Sequence, residues 1–196
     1  MGSRISFLFV VLAVFSIAVS ANGQSDKKEG SSNKSKETQQ FSVADGQFHF
    51  TAPGSWKKIK PKFDFYHAEF QIPKAEGDEK NGRITFSQVG GTIDQNLQRW
   101  VGQFKLPSDA KEDAVKKMTK VVDGKKVQII HIAGTFLDGG PMGPKTERDD
   151  YVLMGAAIET ESGGNVYIKA YGPKKTMESN HKDLKALLDN MKSTDG

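Results

Sequence analysis

The spacing of apolar residues shows where strands are expected. From residue 41 onward, short runs that mix apolar and polar residues are separated by turn-forming pairs, of which Asp45-Gly46 and Asp123-Gly124 are the clearest. Three stretches therefore predict β-hairpins: FSVADGQFHFTAP, AVKKMTKVVDGKKVQIIHIAGTF and DYVLMGAAIETESGGNVYIKAYGP. Two further strands are expected in FDFYHAEFQIP and RITFSQVGG. Strands that follow one another through tight turns form antiparallel sheets.

Two stretches have the period of an amphipathic helix instead. In residues 92–104, Thr92 and Gln95 have the spacing of a capping box. The apolar residues of this stretch fall on one stripe of a helix: Ile93, Leu97, Trp100, Val101 and Phe104. A second helix is expected to begin near Pro173 and to bury Met177, His181, Leu184, Leu187, Leu188 and Met191. The predicted fold is α+β, an antiparallel β-sheet with two amphipathic helices packed on it.

The first residues have the pattern of a secretory signal peptide. Arg4 precedes an apolar run from Ile5 to Val19, and the small residues Ser20 and Ala21 follow. An uncleaved membrane anchor is the alternative, but this run of about 15 residues is short for a bilayer span, which needs about 20. We therefore expect residues 1–21 to be a signal peptide and the protein to be periplasmic or extracellular. After cleavage no stable membrane insertion is expected.

The rest of the chain divides by composition. Residues 22–40 contain no aromatic and no large aliphatic side chain, so they are expected to form a disordered polar linker. Residues 41–196 mix apolar, aromatic and charged residues and are expected to form a single α+β domain. The formal net charge of the whole chain is +4, and about +2 of it belongs to this domain, with no basic face. A nucleic-acid partner is therefore not expected.

The absence of cysteine narrows the chemistry. With no Cys in the chain, disulfides, a lipid anchor on cysteine and a cysteine nucleophile are all excluded. The four histidines lack the spacing of a helical zinc site: His49, His67, His131 and His181. Glu76, Asp78 and Glu79 are the densest carboxylates, but they lack the spacing of a known calcium loop. A weak Ca²⁺ site there is an open alternative to a solvated loop, and no cofactor is expected.

The stretch GTFLDGGPMGPKTERDDYVLMGA, residues 134–156, holds a loop rich in Gly and Pro. It lacks the Gly-Lys-Ser/Thr of a phosphate-binding loop, and a strand rather than a helix follows it. The loop is therefore interpreted as a wide hairpin connection first and as a contact surface second. Met142, Arg148 and Asp149 are the candidate contact residues.

Aromatic residues supply two more candidates for a contact surface. Trp56 follows the strand-ending Pro53-Gly54, and Tyr171 shares a strand face with Tyr167 and a lysine. If they were exposed together on one flat face, they would form a platform for stacking sugars. Trp100, by contrast, lies on the apolar stripe of the first helix and is expected in the core.

The order of these elements resembles the PsbP-like fold, which occurs in extrinsic photosystem proteins and in some adaptors that bind small GTPases. The stretches AEFQIPKAEGDEKNGRITF, NLQRWVGQF and YIKAYGPKKT also resemble an uncharacterised group of exported planctomycete bacterial proteins. The likeness covers residues 41 to 192. It implies an α/β sandwich and a noncatalytic role, and it assigns no functional residue.

The pattern favours an exported noncatalytic binding or accessory domain that acts on a protein or a small ligand outside the cytoplasm. Two alternatives stay open. One is a hydrolase or other enzyme with a site assembled from scattered residues, in which His131 or His181 meets a carboxylate and a serine. The other is a carbohydrate- or wall-binding module built on Trp56 and the tyrosines.

Overall fold

Antiparallel strands dominate the computed structural model, which describes residues 37–108, 111–140, 143–161 and 164–194. The strands are β1 (Thr38–Val43), β2 (Phe48–Pro53), β3 (Lys57–Ile59), β4 (Tyr66–Ile72), β5 (Gly82–Val89), β6 (Phe104–Lys105), β7 (Val115–Val122), β8 (Lys125–Asp138), β9 (Thr146–Ile158), β10 (Asn165–Pro173) and β11 (Lys192–Ser193). The helices are α1 (Ile93–Val101), α2 (Lys111–Ala114), α3 (Lys174–Ser179) and α4 (His181–Asp189). The predicted signal peptide, residues 1–21, lies outside the described residues.

The strands form a large and a small sheet. In the eight-stranded sheet the order is β3-β4-β5-β10-β9-β8-β6, with β7 also paired to β8, and in the three-stranded sheet it is β1-β2-β11. Every pair is antiparallel. The predicted α+β class is therefore confirmed. The separation of the first hairpin into a second sheet is a feature that the periodicity does not reveal.

Turn chemistry places the hairpins where they were predicted. At the β7–β8 turn, φ is 47° at Asp123 and 77° at Gly124, as in a two-residue turn whose twist matches the flanking strands. The Gly- and Pro-rich loop joins β8 to β9 as a wide hairpin, in which Asp138 pairs with Thr146. Met142, at the tip of that loop, lies outside the described residues.

Helix α1 covers one face of the large sheet. Thr92 and Gln95 form both hydrogen bonds of the predicted capping box, and Leu97 and Trp100 are buried against β8, β9 and β10. Trp100 packs so closely on Gly155 of β9 that a Cβ atom there would lie 2.2 Å from the indole Cζ3. The helix ends at Val101 rather than at residue 104.

The opposite face is covered by the small sheet together with α3 and α4. Phe48 and Phe50 of β2, Phe70 of β4 and Phe86 of β5 meet there in one buried cluster with Met177 of α3. The first turn of α3 is capped from a distant loop, since the Asp78 carboxylate accepts hydrogen bonds from the backbone N–H and the hydroxyl of Thr176, at 2.8 and 2.6 Å. Charge and apolar burial together attach α3 to the sheet.

The structure also differs from the expectations for the first strand and for the second helix. Strand β1 begins at Thr38, so residues 38–40 of the predicted linker pair with β2. These three polar residues extend the strand without apolar side chains. The side-chain amide of Gln39 also fixes them, because it donates to the carbonyls of Pro53 and Trp56. The second predicted helix is divided at Asn180 into α3 and α4. This division turns His181 to the exposed surface instead of the predicted buried side.

Candidate functional site

A cavity of about 410 Å³ lies between α4 and the face of the large sheet that is opposite α1. Its floor comes from β5 and β7 to β10, and its roof from α4. Because strand side chains alternate, the residues of one sheet face point into it together. The lining is mainly aliphatic and includes Ile129, Met154, Ala156, Ile168, Leu184 and Leu187. Ligand cavities in proteins typically measure about 300–1,000 Å³, so this one is large enough for a small molecule.

His131 is the polar side chain that the central strand β8 contributes to the floor. It is half-buried on β8 and lines the cavity, and its Nδ1 is buried without a hydrogen-bond partner in the described part of the chain. Burial lowers the pKa of His131, and the charges of Lys116 and His181 lower it further, whereas Glu178 acts in the opposite direction. The imidazole is therefore neutral at neutral pH, with one ring nitrogen protonated and the other able to accept a hydrogen bond.

Charged side chains surround the mouth of the cavity. Lys120 of β7 and Lys185 of α4 both form ion pairs with Asp189 at the end of α4. The hydrogen bonds from these two lysines lower the pKa of Asp189. Met118, which is 60% exposed, completes the rim. Two cations share one carboxylate here, so the mouth carries a net positive charge.

The predicted contact residues lie away from this cavity. Arg148 forms an ion pair with Asp138 at 3.3 Å, and Asp149 accepts a hydrogen bond from the Thr135 hydroxyl at 2.7 Å. Both side chains flank the β8–β9 hairpin. Tyr171 lies on the α1 side of the sheet, where its hydroxyl accepts a hydrogen bond from Arg83. These residues stay candidates for a separate contact surface.

Trp56 is not a contact residue. Its side chain is 1% exposed, and its Nε1 donates to Asn180 Oδ1 at 3.1 Å, between α3 and α4. Tyr167 is 2% exposed and accepts a hydrogen bond from Asn96 of α1. The expectation of a flat aromatic platform was therefore wrong, because the turn after β2 directs Trp56 inward and α1 covers Tyr167.

Comparison with solved structures identifies the architecture. Cyanobacterial PsbP (CyanoP) from Synechocystis sp. PCC 6803 matches with a TM-score of 0.50 and 10% sequence identity, over 84% of this chain and 96% of that chain. The chain has the PsbP-like fold. The likeness shows the fold alone, since the sequences are so distant.

Two other structures are similar at lower scores. The Ran-binding protein Mog1p of Saccharomyces cerevisiae has a TM-score of 0.45 and 11% identity, over 82% of this chain and 97% of that chain. LpqN, involved in cell envelope biogenesis of Mycobacterium tuberculosis, has a TM-score of 0.46 and 10% identity, over 80% of this chain and 90% of that chain. No protein-family model matches the chain, and no curated protein matches its sequence. The resemblance to exported planctomycete proteins stays a prediction.

The cavity of this PsbP-like domain has only part of what the enzyme alternative requires. His131 and His181 both line the cavity, as the enzyme hypothesis required, but no serine or threonine of the described ranges belongs to its lining, and the chain has no cysteine. For the Ca²⁺ alternative, Asp78 is one of the three carboxylates, and its side chain caps α3. Across the described ranges, no group of three or more His, Asp or Glu is arranged to hold a metal ion. Within the same ranges, no helix is long and apolar enough to cross a membrane.

Sequence reasoning singled out His131 and His181 but not the cavity that joins them. The aliphatic lining residues have the spacing of ordinary core positions. The spacing of Leu184 and Leu187 places them on one side of a helix, but it does not give the distance between that helix and the sheet. The unusual sequence signal was a histidine inside the apolar run IIHIAG of a central strand.

The neutral state of His131 predicts a pH dependence of stability. Its pKa in the folded protein lies below the ordinary 6.5, so the unfolded chain binds the proton first as the pH falls. We expect this contribution to be complete above pH 6.5 and to be lost as the pH falls through the folded pKa. Urea denaturation on both sides of pH 6.5 should show a weaker pH dependence for His131→Phe. If the free energy of unfolding changed equally with pH in the wild type and in His131→Phe, the pH dependence would not come from His131.

Proposed function

We propose that this PsbP-like protein is an exported, noncatalytic binding protein, and that it holds a small apolar molecule with one acidic end. The observation that carries the proposal is the aliphatic cavity between α4 and the large sheet. Burial of apolar ligand surface contributes about 25 cal/mol per Å². A ligand with an extended hydrocarbon part would gain most from a lining of this kind.

The polar groups of the site favour an acidic end on the ligand. Lys120 and Lys185 stand at the mouth with only Asp189 between them. A ligand carboxylate can share these cations, and charge-assisted hydrogen bonds are the stronger class of such bonds. His131 supplies one further donor or acceptor from the floor. A fatty acid is the simplest molecule with this combination of an apolar chain and an acidic group.

Among the residues that the structure describes, no serine or threonine hydroxyl lines the cavity, and this supports binding rather than acyl transfer. A hydrolase that used His131 as general base would need a nucleophile within hydrogen-bond reach of its imidazole. Export is the remaining part of the proposal. It is supported by the signal-peptide pattern of residues 1–21.

The test uses a dansylated fatty acid as the probe. We expect its fluorescence to rise on binding and the thermal midpoint of the protein to rise with probe concentration, because the probe binds only the native state. Leu184→Trp places a larger side chain in the cavity and should weaken binding roughly tenfold or more, which corresponds to about 1.4 kcal/mol. Val101→Trp is the matched control, since Val101 is half-buried on α1 at the other face of the sheet.

The outcomes separate the parts of the proposal. Weaker binding in Leu184→Trp alone supports the cavity as the site, and weaker binding of the methyl ester of the probe supports recognition of the acidic end. Equal affinity for wild type and Leu184→Trp would place the probe elsewhere. A wild-type protein that does not bind the probe at all would overturn the ligand class.

A further inference from the structure

Two aromatic side chains project from the connection between β3 and β4, at the edge of the large sheet. Phe63 is 46% exposed and Phe65 is 50% exposed. Their rings are stacked, with centroids 5.4 Å apart and planes inclined by 8°. Single exposed hydrophobic residues are common on protein surfaces, but adjacent large ones mark interaction surfaces. We name residues 57–66 the Lys-Phe loop.

Lysines precede this aromatic pair along the chain. Lys57, Lys58, Lys60 and Lys62 are all exposed, and Asp64 is the one acidic residue of the loop, so its formal net charge is +3. The ammonium group of Lys62 lies 5.5 Å from the centroid of the Phe63 ring. Lysines on an edge strand also prevent pairing with other chains. That role explains the two lysines in β3 but neither Lys60 and Lys62 nor the exposed rings.

The loop is held in this conformation before any partner arrives. The backbone N–H of Tyr66 donates to the carbonyl of Phe63 at 3.0 Å and closes a tight turn. The backbone N–H of Lys62 donates to the buried carboxylate of Glu69 at 3.1 Å. The Tyr66 ring supports the Phe65 ring from the side of the sheet, with centroids 4.5 Å apart. A pre-ordered loop loses little conformational entropy on binding.

We propose that the Lys-Phe loop docks the protein on an anionic lipid surface. Phenylalanine on an interfacial segment enters the boundary between lipid headgroups and acyl chains, and basic residues near an anionic bilayer strengthen the attachment. Stable attachment needs two such signals together, and the loop provides both. A protein partner is less well matched, because a stable interface covers about 800 Å² on each side and the exposed apolar part of the loop is two rings.

This proposal concerns a different surface from the apolar cavity, so its test is independent of the proposed function. The chain from residue 22 onward keeps every described residue and omits the apolar run of residues 5–19, which would itself bind vesicles. Co-sedimentation would compare vesicles of pure phosphatidylcholine with vesicles of equal parts phosphatidylcholine and phosphatidylglycerol. We expect binding to the anionic vesicles, with an affinity that falls as salt rises.

Two variants separate the apolar from the basic contribution. Phe63→Ser/Phe65→Ser is expected to weaken binding at least tenfold, since it removes the groups that enter the headgroup region. Lys60→Gln/Lys62→Gln is expected to weaken binding roughly twenty-fivefold, about fivefold for each lysine. Val121→Ser is the matched control, because Val121 is 70% exposed but lies on β7 outside the loop. It should bind like the wild type.

Three results would overturn the proposal. These are equal binding to neutral and anionic vesicles, wild-type binding by both loop variants, and a loss in Val121→Ser as large as the loss in the loop variants. The first would leave Lys57 and Lys58 as edge protection and would give Lys60 and Lys62 no part in lipid binding. The second would leave the aromatic pair as a surface for a protein partner.

Discussion

Trp100→Ala is expected to lower the free energy of unfolding by about 3–5 kcal/mol. The indole of Trp100 is 8% exposed, packs on the backbone of Gly155 and meets the Tyr167 ring edge to face at 6.0 Å. Glycine has no side chain that could move into the space left by the indole, so the cavity would persist. Urea denaturation measures the loss, and Gln98→Ala on the exposed side of α1 is the control.

A double-mutant cycle makes this prediction specific to the Trp100–Gly155 contact. In the wild type, Gly155→Ala introduces a Cβ into the indole and should destabilise the protein by about 1–3 kcal/mol. In the Trp100→Ala background the clash with the indole is gone and the contact with Ile130 Cγ2, at 3.1 Å, remains, so most of the cost should disappear. Additive effects of the two substitutions would contradict this contact, and wild-type stability of Trp100→Ala would contradict the orientation of α1.

Glu69→Ala is expected to have a comparable effect, roughly 3 kcal/mol. The Glu69 side chain is 4% exposed and pairs with Arg83 at 2.7 Å. Removing the carboxylate leaves a half-buried guanidinium without its counter-charge, which costs more than the ion pair itself contributes. The same carboxylate accepts the backbone N–H of Lys62, so the base of the Lys-Phe loop should also loosen.

Chemical denaturation of Glu69→Ala is best compared with Glu147→Ala. Glu147 pairs with Lys105, and both side chains are more than half exposed. Exposed pairs of this kind contribute about 0–1 kcal/mol, so this control should change stability little. If both variants lowered the free energy of unfolding equally, the buried Glu69–Arg83 pair would contribute no more than the exposed Glu147–Lys105 pair.

Several elements were predictable from local sequence because their causes are local. The Asp123-Gly124 turn needs positive φ at both residues, and that dipeptide adopts such angles readily. Helix α1 was predictable because Thr92 and Gln95 cap it and its apolar stripe has one period. The burial of Trp100 followed from the same stripe.

The candidate site was only partly predictable. The position of His131 in an apolar central strand was visible in the sequence, but its neighbours in the cavity come from separate parts of the chain. Trp56 was interpreted as a contact residue because Pro53 and Gly54 end its strand, whereas its burial depends on a hydrogen bond to Asn180, which is 124 residues away. The spacing of apolar residues along the chain cannot predict a contact between residues so far apart in sequence.

The amino-acid sequence alone determined the hairpins, the first helix, the α+β class and the absence of disulfide and cysteine chemistry. Those features depend on dihedral preferences, side-chain period and composition, which act within a few residues. Only the tertiary structure decided that the first hairpin forms a separate sheet, that α4 leaves an apolar cavity above His131 and that Phe63 and Phe65 stay exposed beside four lysines. These arrangements depend on which surfaces pack together, because close packing joins residues that are distant in the chain.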